Sequence, residues 1–251
     1  MAGGKIGVVE VFRSVQGEGR NAGRMAIFVR LAGCNLSCVF AEGVYCDTPY
    51  MKVAEKYGLA ELFDEVIYPM LPGGYMALRG NSSPETAPML ILTGGEPTIS
   101  PRFDDIVRQA YRMGFYTAVE TNGTNWRDSM RLLDWITVSP KDQIEQGSPA
   151  EYHNKNPQDP TLDEKVVHHM SKDRGGEYRF VIGGPGDPIP RYLPAERHYV
   201  SPAIISDGSG GLWKHGFPGF AKGALERCIE IVTMDPRWRI SLQSHKFMGV
   251  R

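Results

Sequence analysis

The chain has 251 residues, the size of one large domain or two small ones. Apolar residues make up 41%, and 28 Lys and Arg against 29 Asp and Glu leave a formal net charge of −1. This allows a sizeable core, and no basic excess points to nucleic acid and no acidic tail to disorder. The longest purely apolar stretches, such as Met89-Leu90-Ile91-Leu92, fall far short of the about 20 residues a spanning helix needs. Glu10 and Arg13 interrupt any apolar signal segment near the N-terminus. The expectation is a cytoplasmic protein that engages neither membrane nor nucleic acid.

Strand-like and helical segments alternate along the chain. Val8 to Phe12 and Met25 to Leu31 come first, then Met89 to Thr93, Phe115 to Thr121, Ile136 to Ser139, Tyr178 to Ile182, His198 to Ile205 and Trp238 to Gln243. Most are short and apolar on both faces, as in a covered parallel sheet. Phe103, Ile106, Val107, Ala110 and Tyr111 mark a helix, with Ser100 as N-cap, Pro101 at its first position and Gly114 at its end. A second helix is predicted from about Pro218 to Met234, with Cys228 on its apolar stripe. Alternation predicts an α/β fold with right-handed crossovers, in one domain over residues 1–251 and with fewer helices than a closed eight-fold barrel. Residues 72–88, 142–161 and 206–219 read as loops, and Trp213 in the last either closes over a ligand or packs the loop down.

Four cysteines are too few for a disulfide scaffold, and Cys34, Cys38 and Cys46 fall within one short segment. A structural zinc site or an iron–sulfur cluster normally takes four protein ligands, and no fourth Cys or His lies nearby. Cys228 reads as a small buried hydrophobe. The three clustered residues are either free thiols or ligands to a cluster with one iron left open. Downstream, Met89 to Leu92 runs into Thr93-Gly94-Gly95-Glu96-Pro97. Paired glycines at a strand end let a ligand approach the backbone, and Glu96 offers a carboxylate to an ammonium group. A tight turn before the helix is the other reading.

The cysteine segment together with Gly-Gly-Glu-Pro resembles the radical S-adenosylmethionine (SAM) superfamily. There, three cysteines hold a [4Fe–4S] cluster and the methionine end of SAM fills the open iron. The usual spacing is C-x3-C-x2-C, whereas here position 41 is Ala41 and the spacing is C-x3-C-x7-C. Cys46 is the expected displaced ligand, since aromatic Tyr45 precedes it and Asp47-Thr48 follows.

Seven motifs in order narrow the resemblance. They are Val15-Gln16-Gly17-Glu18-Gly19, Phe28-Val29-Arg30-Leu31-Ala32-Gly33-Cys34-Asn35, Cys46-Asp47-Thr48, Thr93-Gly94-Gly95-Glu96-Pro97, Glu120-Thr121-Asn122-Gly123, Ser139-Pro140-Lys141 and Gln243-Ser244-His245-Lys246-Phe247. The chain is similar to the 7-carboxy-7-deazaguanine synthase family of queuosine and 7-deazapurine biosynthesis. The resemblance implies a compact, incomplete radical-SAM (βα) barrel of mostly parallel strands, with a variant cluster loop at 34–46 and a C-terminal tail that closes the site. It implies a Mg²⁺-assisted ring contraction of 6-carboxy-5,6,7,8-tetrahydropterin to 7-carboxy-7-deazaguanine with loss of ammonia. The cofactors implied are the cluster, SAM and Mg²⁺, with a one-electron reductase such as flavodoxin as partner and a homodimer as assembly.

Residue roles follow from the same resemblance. Cys34, Cys38 and Cys46 hold the cluster. Gly95, Glu96, Glu120, Ser139, Pro140 and Lys141 bind SAM. Val15, Gln16, Gly17, Glu18, Arg30, Thr93, His245 and Arg251 bind substrate. No side chain is implied as an acid or base. Physical chemistry agrees at several points. An Arg inside the apolar run Ile27-Phe28-Val29-Arg30-Leu31 needs a carboxylate, either the substrate's or that of an internal salt bridge. An oxygen ligand suits Mg²⁺, for which Asp47 is the more obvious donor and the resemblance favours Thr48. Thr93, Glu120, Ser139 and Lys141 all fall at strand ends, where α/β folds bind ligands. Two competing readings are another small radical SAM enzyme, such as a glycyl-radical activase, and a zinc-stabilised binding module.

Overall fold

The seven apolar runs from Met25 to Gln243 pair side by side in one sheet. The structure is a computed structural model that describes residues 4–46, 48–73, 86–147, 154–172, 175–205 and 219–250. Arg251, Trp213, Asp47 and most of the predicted loops at 72–88 and 206–219 lie outside the described residues. The parallel strands are β2 (Met25–Leu31), β6 (Met89–Gly94), β7 (Tyr116–Thr121), β8 (Trp135–Val138), β10 (Gly176–Ile182), β11 (Arg197–Pro202) and β12 (Arg239–Ile240). β1 (Ile6–Val15) pairs antiparallel to β2, and β5 (Glu55–Tyr57) antiparallel to β1. The order is β12-β11-β10-β8-β7-β6-β2-β1-β5, and among the described residues no pairing joins β12 to β5. The mostly parallel α/β sheet expected from the alternation is therefore present.

Alternation within the strands explains the layering. Ile27, Val29 and Leu31 of β2, Leu90 and Leu92 of β6, and Tyr178, Phe180 and Ile182 of β10 share a core with the helices. That core takes Phe103, Ile106, Val107 and Ala110 from the helix Phe103–Met113, and Cys228 and Ile231 from the helix Ala224–Met234. The opposite face carries Ala26, Phe28, Met89, Ile91, Tyr116, Ala118 and Trp135 as a second apolar cluster. Two residues further along the same face come Arg30, Thr93 and Glu120. The inner face is thus apolar at the start of the strands and polar at their carboxyl ends, which places the site.

Several boundaries differ from expectation. The helix at 103 begins after Pro101. Ser100 closes a preceding 3-10 turn, Pro97–Ile99, and only its carbonyl serves the helix, accepting from the Phe103 amide at 3.1 Å. Gly114 ends the helix in the left-handed region at φ 80°, as predicted. The segment Leu59–Glu61, Leu62–Ile67 and Tyr68–Met70 is helical and buries Leu62, Phe63 and Ile67, although its short mixed turns give no clean helical period. A short helix Glu164–Met170 precedes β10. The last predicted strand shrinks to β12, and a helical turn, Ser244–Phe247, follows it. Among the described residues no helix is long and apolar enough to cross a membrane.

Phe103 is fully buried, whereas Tyr111 on the same helix is exposed. Phe103→Ala should cost about 3–5 kcal/mol and Tyr111→Ala no more than about 0.5 kcal/mol, read as urea midpoints at constant slope.

Candidate active site

The seven residues between Cys38 and Cys46 form a hairpin. β3 (Cys38–Ala41) pairs antiparallel with β4 (Val44–Tyr45) across the turn at Glu42-Gly43. The excursion leaves and returns, so the Cys46 amide donates to the Cys38 carbonyl at 3.3 Å. An insertion that folds on itself keeps both ends together, and this offsets the longer sequence spacing.

The cysteine loop is fastened to the strand ends. The Gly33 amide donates to Tyr50 O at 2.7 Å, and the Glu96 amide to Gly33 O at 3.0 Å. The Tyr50 hydroxyl donates to Leu36 O at 2.8 Å, and Asn122 Nδ2 to Asn35 Oδ1 at 2.9 Å. A Cβ on Gly95 would lie 2.6 Å from Cys34 Cβ and 2.7 Å from Tyr50 Cβ, so only glycine lets this loop seat. Burial pushes the Cys34 thiol pKa up, and Glu96, Cys46 and Cys38 raise it further by charge. Burial also raises that of Cys38, against Lys141 and Gln146. The three sulfurs and Lys141 share one electrostatic environment. Burial lowers the lysine's pKa, and the three cysteines pull it back up. Among the described residues no three His, Cys, Asp or Glu side chains converge on a single-ion site.

Beside this loop lies a cavity of about 260 Å³. Arg30, Cys46, Thr48, Thr93, Gly95, Glu18, Glu120, Ser139 and Lys141 line it together. Thr93 Oγ1 donates to Glu120 Oε2 at 2.9 Å, and Gln16 Nε2 to Glu120 Oε1 at 3.1 Å. Lys141 Nζ donates to the Ser139 carbonyl at 2.7 Å. Arg30 also takes the internal partner left open by its sequence, since its Nε donates to Glu10 Oε1 at 2.9 Å.

Other expected residues stand behind the wall. Glu96 is fully buried and absent from the cavity lining. Its carboxylate accepts from the Thr98 amide and hydroxyl, the Thr121 hydroxyl and the Asn122 amide. Burial raises its pKa against these four donors, and it braces the turn to the end of β7. Gly17 was expected to offer its backbone to a ligand. Its carbonyl instead accepts from the Ser244 amide and hydroxyl at 3.1 and 2.8 Å, and a Cβ there would overlap the His245 ring. His245 therefore packs on the N-terminal loop, while Gln243 and buried Lys246 face the cavity. Val15 pairs with Met25 at the end of β1, and Pro140 lines a separate small crevice beside Asp142 and Phe180.

Arg179 is the residue the sequence reading missed. It is 7% exposed, lines the cavity and bridges two carboxylates, Glu18 at 3.3 Å and Glu120 at 3.3 Å. Burial pushes the Glu120 carboxyl pKa up, but Arg179, Gln16 and Thr93 more than reverse it, so it falls below the usual range. The signal was the one used for Arg30, a lone Arg in an apolar strand, here Tyr178-Arg179-Phe180-Val181.

The parallel sheet, the three-cysteine loop and the glycine turn at the mouth of a strand-end cavity define a radical SAM enzyme. The fold matches the crystal structure of QueE from Escherichia coli at TM-score 0.57 and 20% identity, covering 95% of this chain and 93% of that one. No family model matches the chain. The 7-carboxy-7-deazaguanine synthase of Bordetella pertussis is 30% identical over 261 residues, 97% of this chain and 98% of that protein. That of Bacteroides thetaiotaomicron is 29% identical over 243 residues, with 96% and 97% covered. The chain belongs to the 7-carboxy-7-deazaguanine synthase family.

Replacing Arg179 by Met leaves the half-buried Glu18 and Glu120 without their cation, which should cost about 2–3 kcal/mol near neutral pH. The carboxyl pKa values then rise in the folded state, so stability is retained at low pH and lost as pH rises through them. Urea unfolding should show a larger deficit at pH 8 than at pH 5.

Proposed function

We propose that this chain converts 6-carboxy-5,6,7,8-tetrahydropterin to 7-carboxy-7-deazaguanine with loss of ammonia. The observation that carries the reading is the hairpin. It returns Cys46 to Cys38 at a cavity that Arg30, Thr93, Glu18 and Glu120 also line. Cys34, Cys38 and Cys46 are the ligands of a [4Fe–4S] cluster. The donor set fits, because three soft thiolates suit a cluster and Lys141 beside them offsets part of its negative charge. Together, bound cluster and SAM supply the one-electron chemistry that removes hydrogen from an unactivated carbon.

The protein's own contribution is binding, orientation and exclusion of water. Gly95, Ser139 and Lys141 line the cavity and hold SAM, with Pro140 setting the path between the last two. Glu120 offers carboxylate oxygens to SAM while Thr93, Gln16 and Arg179 fix its position. Glu96 contributes by bracing the turn, not by direct contact. Arg30 keeps one edge on Glu10 and presents the guanidinium to the substrate carboxylate at the cavity wall. Glu18 takes the pterin edge, with Gln16 holding its loop, since the Glu18 amide donates to Gln16 Oε1 at 3.2 Å. Val15 and Gly17 set the path of that loop, His245 packs on Gly17, and Arg251 is assigned to the substrate from the family resemblance alone. No side chain acts as general acid or base.

Thr48, which lines the cavity, would supply one oxygen to Mg²⁺, an ion that takes oxygen donors. A flavodoxin-type reductase donates the electron, and the enzyme works as a cytoplasmic homodimer.

An anaerobic incubation with carboxytetrahydropterin, SAM, reductant and Mg²⁺ should yield the deazaguanine chromophore. A fully loaded cluster with no product would refute the substrate, and zinc without iron or sulfide would refute the enzyme. Cys46→Ser should abolish cluster assembly, measured as iron and sulfide content. Cys228→Ser should leave it intact, because Cys228 sits in the helix core with its pKa pushed up to about 12 by burial.

A further inference from the structure

The loop after Ser139-Pro140-Lys141 contains a short strand, β9 (Glu145–Gln146), which pairs antiparallel with the start of β3. Cys38 lies directly opposite Gln146 in this register. The Gln146 side chain is oriented by two backbone groups of opposite kind. Its Oε1 accepts from the Ser37 amide at 2.8 Å, and its Nε2 donates to the Ile144 carbonyl at 3.1 Å. A donor on one side and an acceptor on the other fix which end of the amide is which. The second Nε2 hydrogen is then available to Cys38 Sγ, at 3.7 Å. Sγ also lies 4.0 Å from Oε1, a contact that a thiol can use as donor and a metal-bound thiolate cannot.

Resting on the reading of Cys34, Cys38 and Cys46 as cluster ligands, we propose that Gln146 is a positioning residue that hydrogen-bonds the Cys38 thiolate and raises the reduction potential of the cluster. Reduction adds negative charge to the cluster, and an amide hydrogen aimed at a ligand sulfur favours the more negative state. The arrangement follows from the hairpin. Because Cys38 opens β3, that strand's free edge is filled by β9, and the same pairing delivers the amide to the sulfur.

The test uses full-length protein reconstituted anaerobically. Redox titration followed by electron paramagnetic resonance should show a more negative potential in Gln146→Leu and in Gln146→Glu, which keeps an acceptor for Ser37 but has no donor. The expected size is a roughly tenfold shift against the reduced form, about 59 mV for a one-electron couple. In wild-type protein labelled with ¹⁵N in glutamine side chains, pulsed resonance on the reduced cluster should show a ¹⁵N coupling that is absent in Gln146→Glu. This second measurement decides the matter if the leucine variant assembles no cluster. A loaded wild-type cluster without ¹⁵N coupling, or variants with unchanged potential, would overturn the role of Gln146 alone. Wild-type protein that takes up no iron and sulfide would overturn the ligand assignment along with it.

Discussion

A buried guanidinium holds the site together. Arg179 sits on the inner face at the middle of β10, where an unpaired cation is costly. Its partners come from distant parts of the chain, Glu18 from the loop after β1 and Glu120 from β7. Glu120 is held in turn by Thr93 on β6 and Gln16 on the N-terminal loop. Four segments thereby converge on one charge network. The C-terminal turn joins through Ser244 on the Gly17 carbonyl. The requirement to neutralise one cation therefore fixes the position of most of the cavity wall.

The cysteine side obeys a different constraint. Cys34, Cys38 and Cys46 crowd one loop, where burial holds the Cys34 and Cys38 thiols above their ordinary pKa, and other groups anchor the loop. Backbone hydrogen bonds from Gly33 and Glu96, the Tyr50 hydroxyl on Leu36 and the Asn122–Asn35 pair provide these anchors. The hairpin makes a wide cysteine spacing compatible with a narrow site, because an antiparallel pair restores proximity at its base. Loop extension of this kind costs little entropy when the added residues hydrogen-bond to each other. Lys141, held by the Ser139 carbonyl, is close enough to the three cysteines for their charges to pull its pKa back up.

Much of this was legible in residue patterns. All seven parallel strands were marked by short apolar runs, and the polar residue at the end of several runs marked the cavity. The helix Phe103–Met113 was visible from its spacing, and Cys228 from its place on an apolar stripe. Other features were hidden for identifiable reasons. β9 is only Glu145–Gln146, too short for any period, and exists because β3 offers it an edge. His245 and Lys246 are adjacent, and only the helical turn shows that Lys246 enters the cavity while His245 packs on Gly17. Glu96 carries the same motif in either role, and its four donors show that it braces the turn.

The sequence by itself determined the fold class, the family resemblance and the chemical kinds of residue at the site. Alternation and motif order are local properties, written in residues that are neighbours along the chain. Tertiary structure alone decided which charges pair. Arg30 goes to Glu10, and Arg179 to Glu18 and Glu120. It also decided that the seven-residue gap before Cys46 closes on itself. Ion pairing and strand return depend on distances between segments far apart in the chain, and those distances are set only when the sheet has brought its strand ends to one place.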